Sequence, residues 1–267
     1  MLTGTGDVRH HEQTITAFAT RAAGRSDVVA LVVVGSVARG IERATSDVDI
    51  YLVLTDEAFA AAQAAGRVAY VDTDAVTYDS YVDIKLASPH YLARAAEHGD
   101  DPTRASFLGA RTIFDRSGAV ADTIAKIVTL PEEAWQRRIH AYRCQARLYG
   151  GYFLKQAHQR GDAFLLQHSA VHLCLAVGRV VLAANRTLYS GQKYLAGTLS
   201  GLADLPYGFL AAWHDALERP SPHTANALTD VVDQWQGGPL SRDETLSTFI
   251  VDNELAWLNR TVPPEFW

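Results

Sequence analysis

Val28-Val29-Ala30-Leu31-Val32-Val33-Val34-Gly35-Ser36-Val37-Ala38-Arg39-Gly40, and then Ser46-Asp47-Val48-Asp49-Ile50, carry the main structural and chemical signals of this chain. The unbroken apolar run Val28–Val34 suits a strand buried on both faces. Gly35-Ser36 breaks the run and should turn directly into a helix. Glycine there lets backbone approach a ligand closely, and N–H groups at a helix start favour an anion. The Ser36 hydroxyl can add a bond to a phosphate oxygen. Val48, Ile50, Leu52 and Leu54 alternate with Asp47, Asp49, Tyr51 and Val53, the pattern of a second strand. Asp47 and Asp49 lie two apart on it, so both carboxylates point the same way.

Two carboxylates projecting together repel each other unless a cation lies between them. Mg²⁺ takes oxygen ligands and shares them with triphosphate oxygens. Two such ions about 3.5–4 Å apart can hold the attacking and leaving oxygens of an in-line displacement. A Gly-Ser turn for phosphates beside an Asp pair for metals makes a phosphoryl-transfer site. Neither half is specific alone; the ordered combination is.

Outward from this stretch, residues 9–24 read as a helix with Ile15, Phe18, Ala19 and Ala22 on one face. An Ala-rich helix follows near 56–65. The segment Ala75–Leu86 reads as a long third strand, with Val82, Ile84 and Leu86 on one face and Tyr81, Asp83 and Lys85 on the other. Pro89 opens a helix to about Glu97, and Arg111–Asp115 forms a short strand. After Pro131 the periodicity is helical throughout. Trp135, Ile139, Tyr142, Ala146, Tyr149 and Phe153 make an apolar stripe. Further helices are expected over Ala163–Asn185 and near 205–219, 224–236 and 243–258, with a break at Gly237-Gly238-Pro239. The expected class is α+β: a domain with a mixed sheet over residues 1–128, followed by an all-α bundle over 129–267.

Gly35-Ser36, a spacer and Asp47-x-Asp49 resemble the DNA polymerase β-type nucleotidyltransferase superfamily. The resemblance implies a third carboxylate on a neighbouring strand. Asp83 is the natural candidate and Asp79, on the same expected face, the reserve. It also implies that Asp47 and Asp49 bind two Mg²⁺ ions, and that Asp83 binds one of them or deprotonates the acceptor hydroxyl. Arg39 is open between a phosphate contact and a cap on the first short helix.

The segment from Arg179 through Asn185 to Tyr194 is similar to the helical domain of small-molecule nucleotidyltransferases, the aminoglycoside and lincosamide adenylyltransferases among them. That similarity implies that Arg179 and Lys193 reach back to the triphosphate, with the active site in a cleft between the domains. His168, His172, Arg179 and Arg186 form a polar stripe on an otherwise apolar helix. It reads either as a cleft lining or as polar groups in water-filled gaps of the bundle. His168-x-x-x-His172 has zinc-ligand spacing without an evident third ligand. The run Arg137, Arg138, Arg143, Arg147, Lys155 and Arg160 contains no acid. Such a run more often forms a solvated helix face than an anion site.

Gly-x-Ser-x-Gly, Walker A and His-Glu-x-x-His motifs are absent. The net charge of −6 and pI of about 5.9 argue against a dedicated nucleic-acid binder. Cys144 and Cys174 suggest no disulfide framework, and the apolar runs Val28–Val34 and Val180–Ala184 fall well short of the roughly 20 residues of a membrane span. A soluble cytoplasmic enzyme is expected, using Mg²⁺ and an NTP, ATP by preference, to modify a hydroxyl of a small molecule such as an antibiotic. Two other readings stay open. One is a toxin–antitoxin-type nucleotidyltransferase acting on protein or RNA. The other is a non-catalytic nucleotide-binding module, which the intact acids disfavour.

Overall fold

The computed structural model describes residues 9–76 and 78–267, which divide after Thr129 into two units. In the first, α1 (Arg9–Ala23) precedes β1 (Val28–Val34), the short helix α2 (Gly35–Arg39) and β2 (Val48–Leu54). Next come α3 (Asp56–Ala64), β3 (Ala69–Asp72) and β4 (Val82–Ala87). The helices α4 (Pro89–His98) and α5 (Asp101–Ser106), the strand β5 (Arg111–Asp115) and α6 (Val120–Ile127) complete the unit. The strands form a mixed sheet in the order β3-β4-β2-β1-β5, with β2 and β4 parallel and the other neighbours antiparallel.

Burial on both faces explains why β1 and β2 are apolar almost throughout. Leu31, Val33, Ile50, Leu52 and Ile84 pack with Ile15, Phe18 and Ala22 of α1 on one face. Ala30, Val32, Val34 and Val53 pack with Leu92, Ala95, Ile124 and Ile127 of α4 and α6 on the other, where Tyr51 stacks on Phe107. Local chemistry starts the helices: Thr55, Ser88 and Asp100 side chains cap α3, α4 and α5, and Pro89 opens α4. The buried Arg104 guanidinium donates to the carbonyls of Ala96, Gly99 and Ile127, closing the ends of α4 and α6 together.

The sheet departs from the sequence expectation at one place. Residues 75, 76 and 78–81 are not strand: Asp72 Oδ1 accepts from the N–H groups of Asp74 and Ala75, and this turn ends β3. Pairing along β4 resumes at Val82, opposite Val48. Asp79 therefore lies in a loop, off the strand face it was expected to share. The edge strand β3, largely exposed, has no apolar alternation and gave no signal.

The second unit comprises α7 (Glu132–Leu148), a π-helical turn (Tyr149–Phe153), α8 (Leu154–Arg160), α9 (Ala163–Ala184) and α10 (Gln192–Ser200). It continues with α11 (Phe209–Glu218), α12 (Pro222–Trp235), α13 (Arg242–Phe249), a second π-helical turn (Ile250–Glu254) and α14 (Ala256–Asn259). The π-turn changes the expected stripe. Trp135, Ile139, Tyr142 and Ala146 are buried as the spacing predicts, but beyond them the buried face passes to Gly150, Leu154 and Ala157. A wider turn rotates every following residue around the axis. Gly150 makes this packing feasible, since a Cβ there would lie 3.2 Å from Leu173 Cδ1.

α9 corrects the expectation that no apolar segment approaches membrane-spanning length. Among the described residues this 22-residue helix is long and apolar enough by length and composition. Most of it is buried among the helices of its own unit, as in the core helix of a bundle. Cys144 and Cys174 are buried and unbridged.

Gly150→Val should overpack this contact and lower stability by about 1–3 kcal/mol. Urea unfolding of the full chain measures the change, and an unaltered midpoint would mean that Leu173 yields freely.

Candidate active site

At the end of β1 the chain turns sharply. Gly35 has φ +72°, a left-handed conformation that favours glycine. The turn also passes directly over Asp49, which pairs with Val34 across the β1–β2 ladder. A Cβ on Gly35 would sit 2.0 Å from Asp49 Oδ2, so only glycine leaves room for the carboxylate. α2 has only five residues, which limits its dipole. Any hold on a phosphate therefore rests on the turn's own N–H groups and Ser36. Among the described residues no hydrogen bond ties down the Ser36 hydroxyl.

On the other side of β2, Asp49 pairs in parallel register with Asp83 of β4. Directly paired residues project from the same face of a sheet. Asp47, expected on the strand itself, lies one residue ahead of β2, near enough for its charge to act on Asp49. All three are partly buried at the end of the sheet. The arrangement leaves its mark on Asp49, whose carboxyl is pushed up to about 6. Burial is the largest cause, followed by the charges of Asp47 and Asp83; Lys85 and Arg39 oppose them. Lys85 follows Asp83 by two residues on the same strand face, a signal present in the period-2 pattern but not used in the sequence reading.

Arg39 does not project freely. Its Nε donates to the Gly35 carbonyl at 3.1 Å, and its side chain lies against Gly109. The guanidinium thus braces the turn while lending positive charge to the Asp49 site. The charge of Asp47 pushes the phenol of Tyr81, at the entry to β4, upward.

Among the described residues no three His, Cys, Asp or Glu side chains are gathered into a ready metal cage. The donor set nevertheless fits Mg²⁺, which takes one or two carboxylates and fills its octahedron with water and phosphate oxygens. The like charges around Asp49 are the repulsion that a divalent cation relieves.

Of the two residues expected from the helical half, Arg179 is placed otherwise. Arg179 is only 2% exposed, and its guanidinium donates to the main-chain oxygens of Pro264, Glu265 and Trp267. It lies between the rings of Tyr142 and Tyr189, 4.3 and 4.7 Å from their centroids. These contacts commit Arg179 to the interior of its own unit rather than to the triphosphate contact expected of it. Lys193 is exposed on the first turn of α10, its ammonium 5.4 Å from the Tyr194 ring. His172 stacks on Tyr149 and faces Glu265 at 3.3 Å, and Arg186 pairs with Glu132. Three members of the expected polar stripe are thus bound within the helical unit. The basic run is not simply a solvated face either. Arg143 and Arg147 converge on Asp233 at 2.9 and 2.5 Å, and Arg137 and Arg138 cover the Trp267 ring.

Comparison with solved structures bears on this geometry. A nucleotidyltransferase-like protein from Exiguobacterium sibiricum superposes with a TM-score of 0.50, covering 94% of this chain and 87% of that one, at 12% identity. The chain has a nucleotidyltransferase-like fold. No protein-family model and no curated protein matches the sequence.

Two outcomes follow. Unfolded, Asp49 titrates near 3.8, and folded near 6, so between these values the folded chain holds the extra proton. Metal-free stability should therefore fall as pH rises from about 4 to about 6 and stay reduced above. In EDTA at pH 7.5, Asp49→Asn should stabilise the protein by of the order of 1 kcal/mol, allowing for solvent screening. Thermal unfolding with and without Mg²⁺ measures this; a less stable Asn variant in EDTA contradicts the assignment. Arg179→Leu, by contrast, strands three main-chain acceptors and should cost about 2–4 kcal/mol. Equal melting temperatures for this variant and wild type would remove its structural role.

Proposed function

We propose that this chain is a Mg²⁺-dependent nucleotidyltransferase that passes a nucleoside monophosphate from an NTP to a hydroxyl of a small molecule. ATP as donor, and an antibiotic-like acceptor, follow from the resemblance to the aminoglycoside and lincosamide group. The observation that carries the reading is the register that sets Asp49 between Val34 and Asp83 across three adjacent strands, with Gly35 closing over it and Asp47 one residue ahead of β2 acting on it by charge.

In this reading Asp47 and Asp49 hold the metal ions and Asp83 binds one of them or accepts the acceptor's proton. When bound, the metals neutralise the triphosphate charge and lower the barrier to in-line displacement. The chain's own residues do the rest. The Gly35-Ser36 turn brings backbone close to the phosphates, and Gly35 keeps space for Asp49. Arg39 braces that turn through the Gly35 carbonyl. Asp83 takes the proton as the acceptor oxygen bonds to the α-phosphorus, and pyrophosphate leaves with the electrons of the broken P–O bond. Catalysis then consists of positioning and charge neutralisation.

Asp47→Asn and Asp49→Asn should abolish pyrophosphate release without unfolding the chain, because an amide cannot supply the anionic charge the metals need. Asp83→Asn should lower kcat by roughly a hundredfold or more. NTPs screened against pooled small hydroxyl compounds, with product mass measured, provide the assay. Release persisting near wild-type rate in the Asp47 and Asp49 variants overturns the reading.

A further inference from the structure

Asp47 lies where packing gives little help. The loop before it is mostly exposed, with Ile41 64% accessible, and the first fully buried residue is Val48. Within the preceding turn Ser46 and Arg43 bond each other, through Ser46 N–H to the Arg43 carbonyl and Arg43 N–H to Ser46 Oγ, both 2.9 Å. A metal ligand must be held within a few tenths of an ångström, so something else has to fix the chain here.

The Ser46 carbonyl, immediately before Asp47, is held twice. The Tyr78 hydroxyl donates to it at 2.9 Å, and His11 Nε2 lies 3.0 Å away. One step back, His10 Nε2 lies 2.9 Å from the Ala44 carbonyl. A carbonyl only accepts, so both imidazoles present an N–H at Nε2. His11 is 1% exposed, and among the described residues its Nδ1 has no hydrogen-bond partner, which makes the Ser46 bond its polar tie there. The Tyr78 ring packs 4.2 Å from His10 and edge-on to His11 at 5.2 Å. The first turn of α1 and the loop before β4 thus converge on residues 44–46.

We infer that His11 and Tyr78 are positioning residues that fix Asp47 for metal binding, acting through the Ser46 carbonyl; this rests on the reading of Asp47 as a metal ligand. Neither side chain touches the reacting atoms. Both act on the main chain one residue away. Burying an imidazole and orienting a phenol onto a single carbonyl is costly for a surface turn with no further duty, since each buried polar group requires its partner. His10 supports the same turn from its exposed side.

The test titrates Mn²⁺ alone into the full-length protein and follows free Mn²⁺ by electron paramagnetic resonance. Wild type, Asp47→Asn, Tyr78→Phe, His11→Leu and His11→Gln are compared, with melting temperatures recorded alongside. Tyr78→Phe keeps the ring and removes only the hydroxyl. His11→Gln retains a donor near Nε2, and His11→Leu removes it. The expected result is Mn²⁺ affinity about three- to tenfold weaker in Tyr78→Phe and His11→Leu, the scale of one hydrogen bond. Affinity should return towards wild type in His11→Gln, with the Tyr78→Phe melting temperature unchanged. Wild-type affinity in Tyr78→Phe and His11→Leu, alongside lost binding in Asp47→Asn, would overturn the positioning role and leave the proposed function standing. Equal Mn²⁺ binding by wild type and Asp47→Asn would overturn the metal assignment itself and this inference with it.

Discussion

Asp49 sits between two strands that each bring something incompatible with an isolated charge. Val34-Gly35 closes over it from β1, and Asp83 stands beside it on β4. Water is partly excluded, and Asp47 adds a further like charge, so the carboxyl is driven to about 6. A site of this kind is destabilising in the metal-free chain, and the surrounding structure has to hold it together. The same features suit it to a divalent cation with a polyanion. The repulsion that raises Asp49 becomes attraction once positive charge enters, and partial burial strengthens it.

What holds the site is the sheet behind it. β1 and β2 are buried on both faces, so neither strand can slip by one residue without sending its apolar side chains to the wrong layer. That rigidity fixes the register placing Asp49 opposite Asp83. The far layer is anchored in turn by Arg104, whose three carbonyl contacts tie the ends of α4 and α6. The ends of β1 and β2 are consequently rigid, whereas the loop leading to Asp47 depends on side-chain hydrogen bonds.

The helical unit uses charge differently. Its arginines are anchors for chain segments. Arg179 gathers the backbone of residues 264–267, and Arg143 with Arg147 closes on Asp233. Buried guanidinium groups are tolerated here because several acceptors and aromatic faces surround each one. Two π-helical turns alter which side chains face the core.

The sequence by itself determined the strands that carry the site. Val28–Val34 and the alternation from Val48 to Leu54 are properties of neighbouring residues. Periodicity also marked α1, α4 and α9, since each buries one face or most of its surface. Tertiary structure alone decided the rest. No local pattern announces that Asp83 rather than Asp79 stands beside Asp49, because strand register depends on which residue finds a partner across the sheet. β3 is an exposed edge and carries no alternation to read. The π-turn at Tyr149–Phe153 is invisible to a 3.6-residue period, and the close packing of Leu173 on Gly150 there is a contact between segments distant in sequence. The task of Arg179 likewise follows from acceptors 85 to 88 residues away in sequence. His11 falls four residues before Ile15 on the buried face of α1, which hinted at a buried imidazole. Only the fold could place the Ser46 carbonyl beside it, because a hydrogen bond across 35 residues is set by how the chain returns.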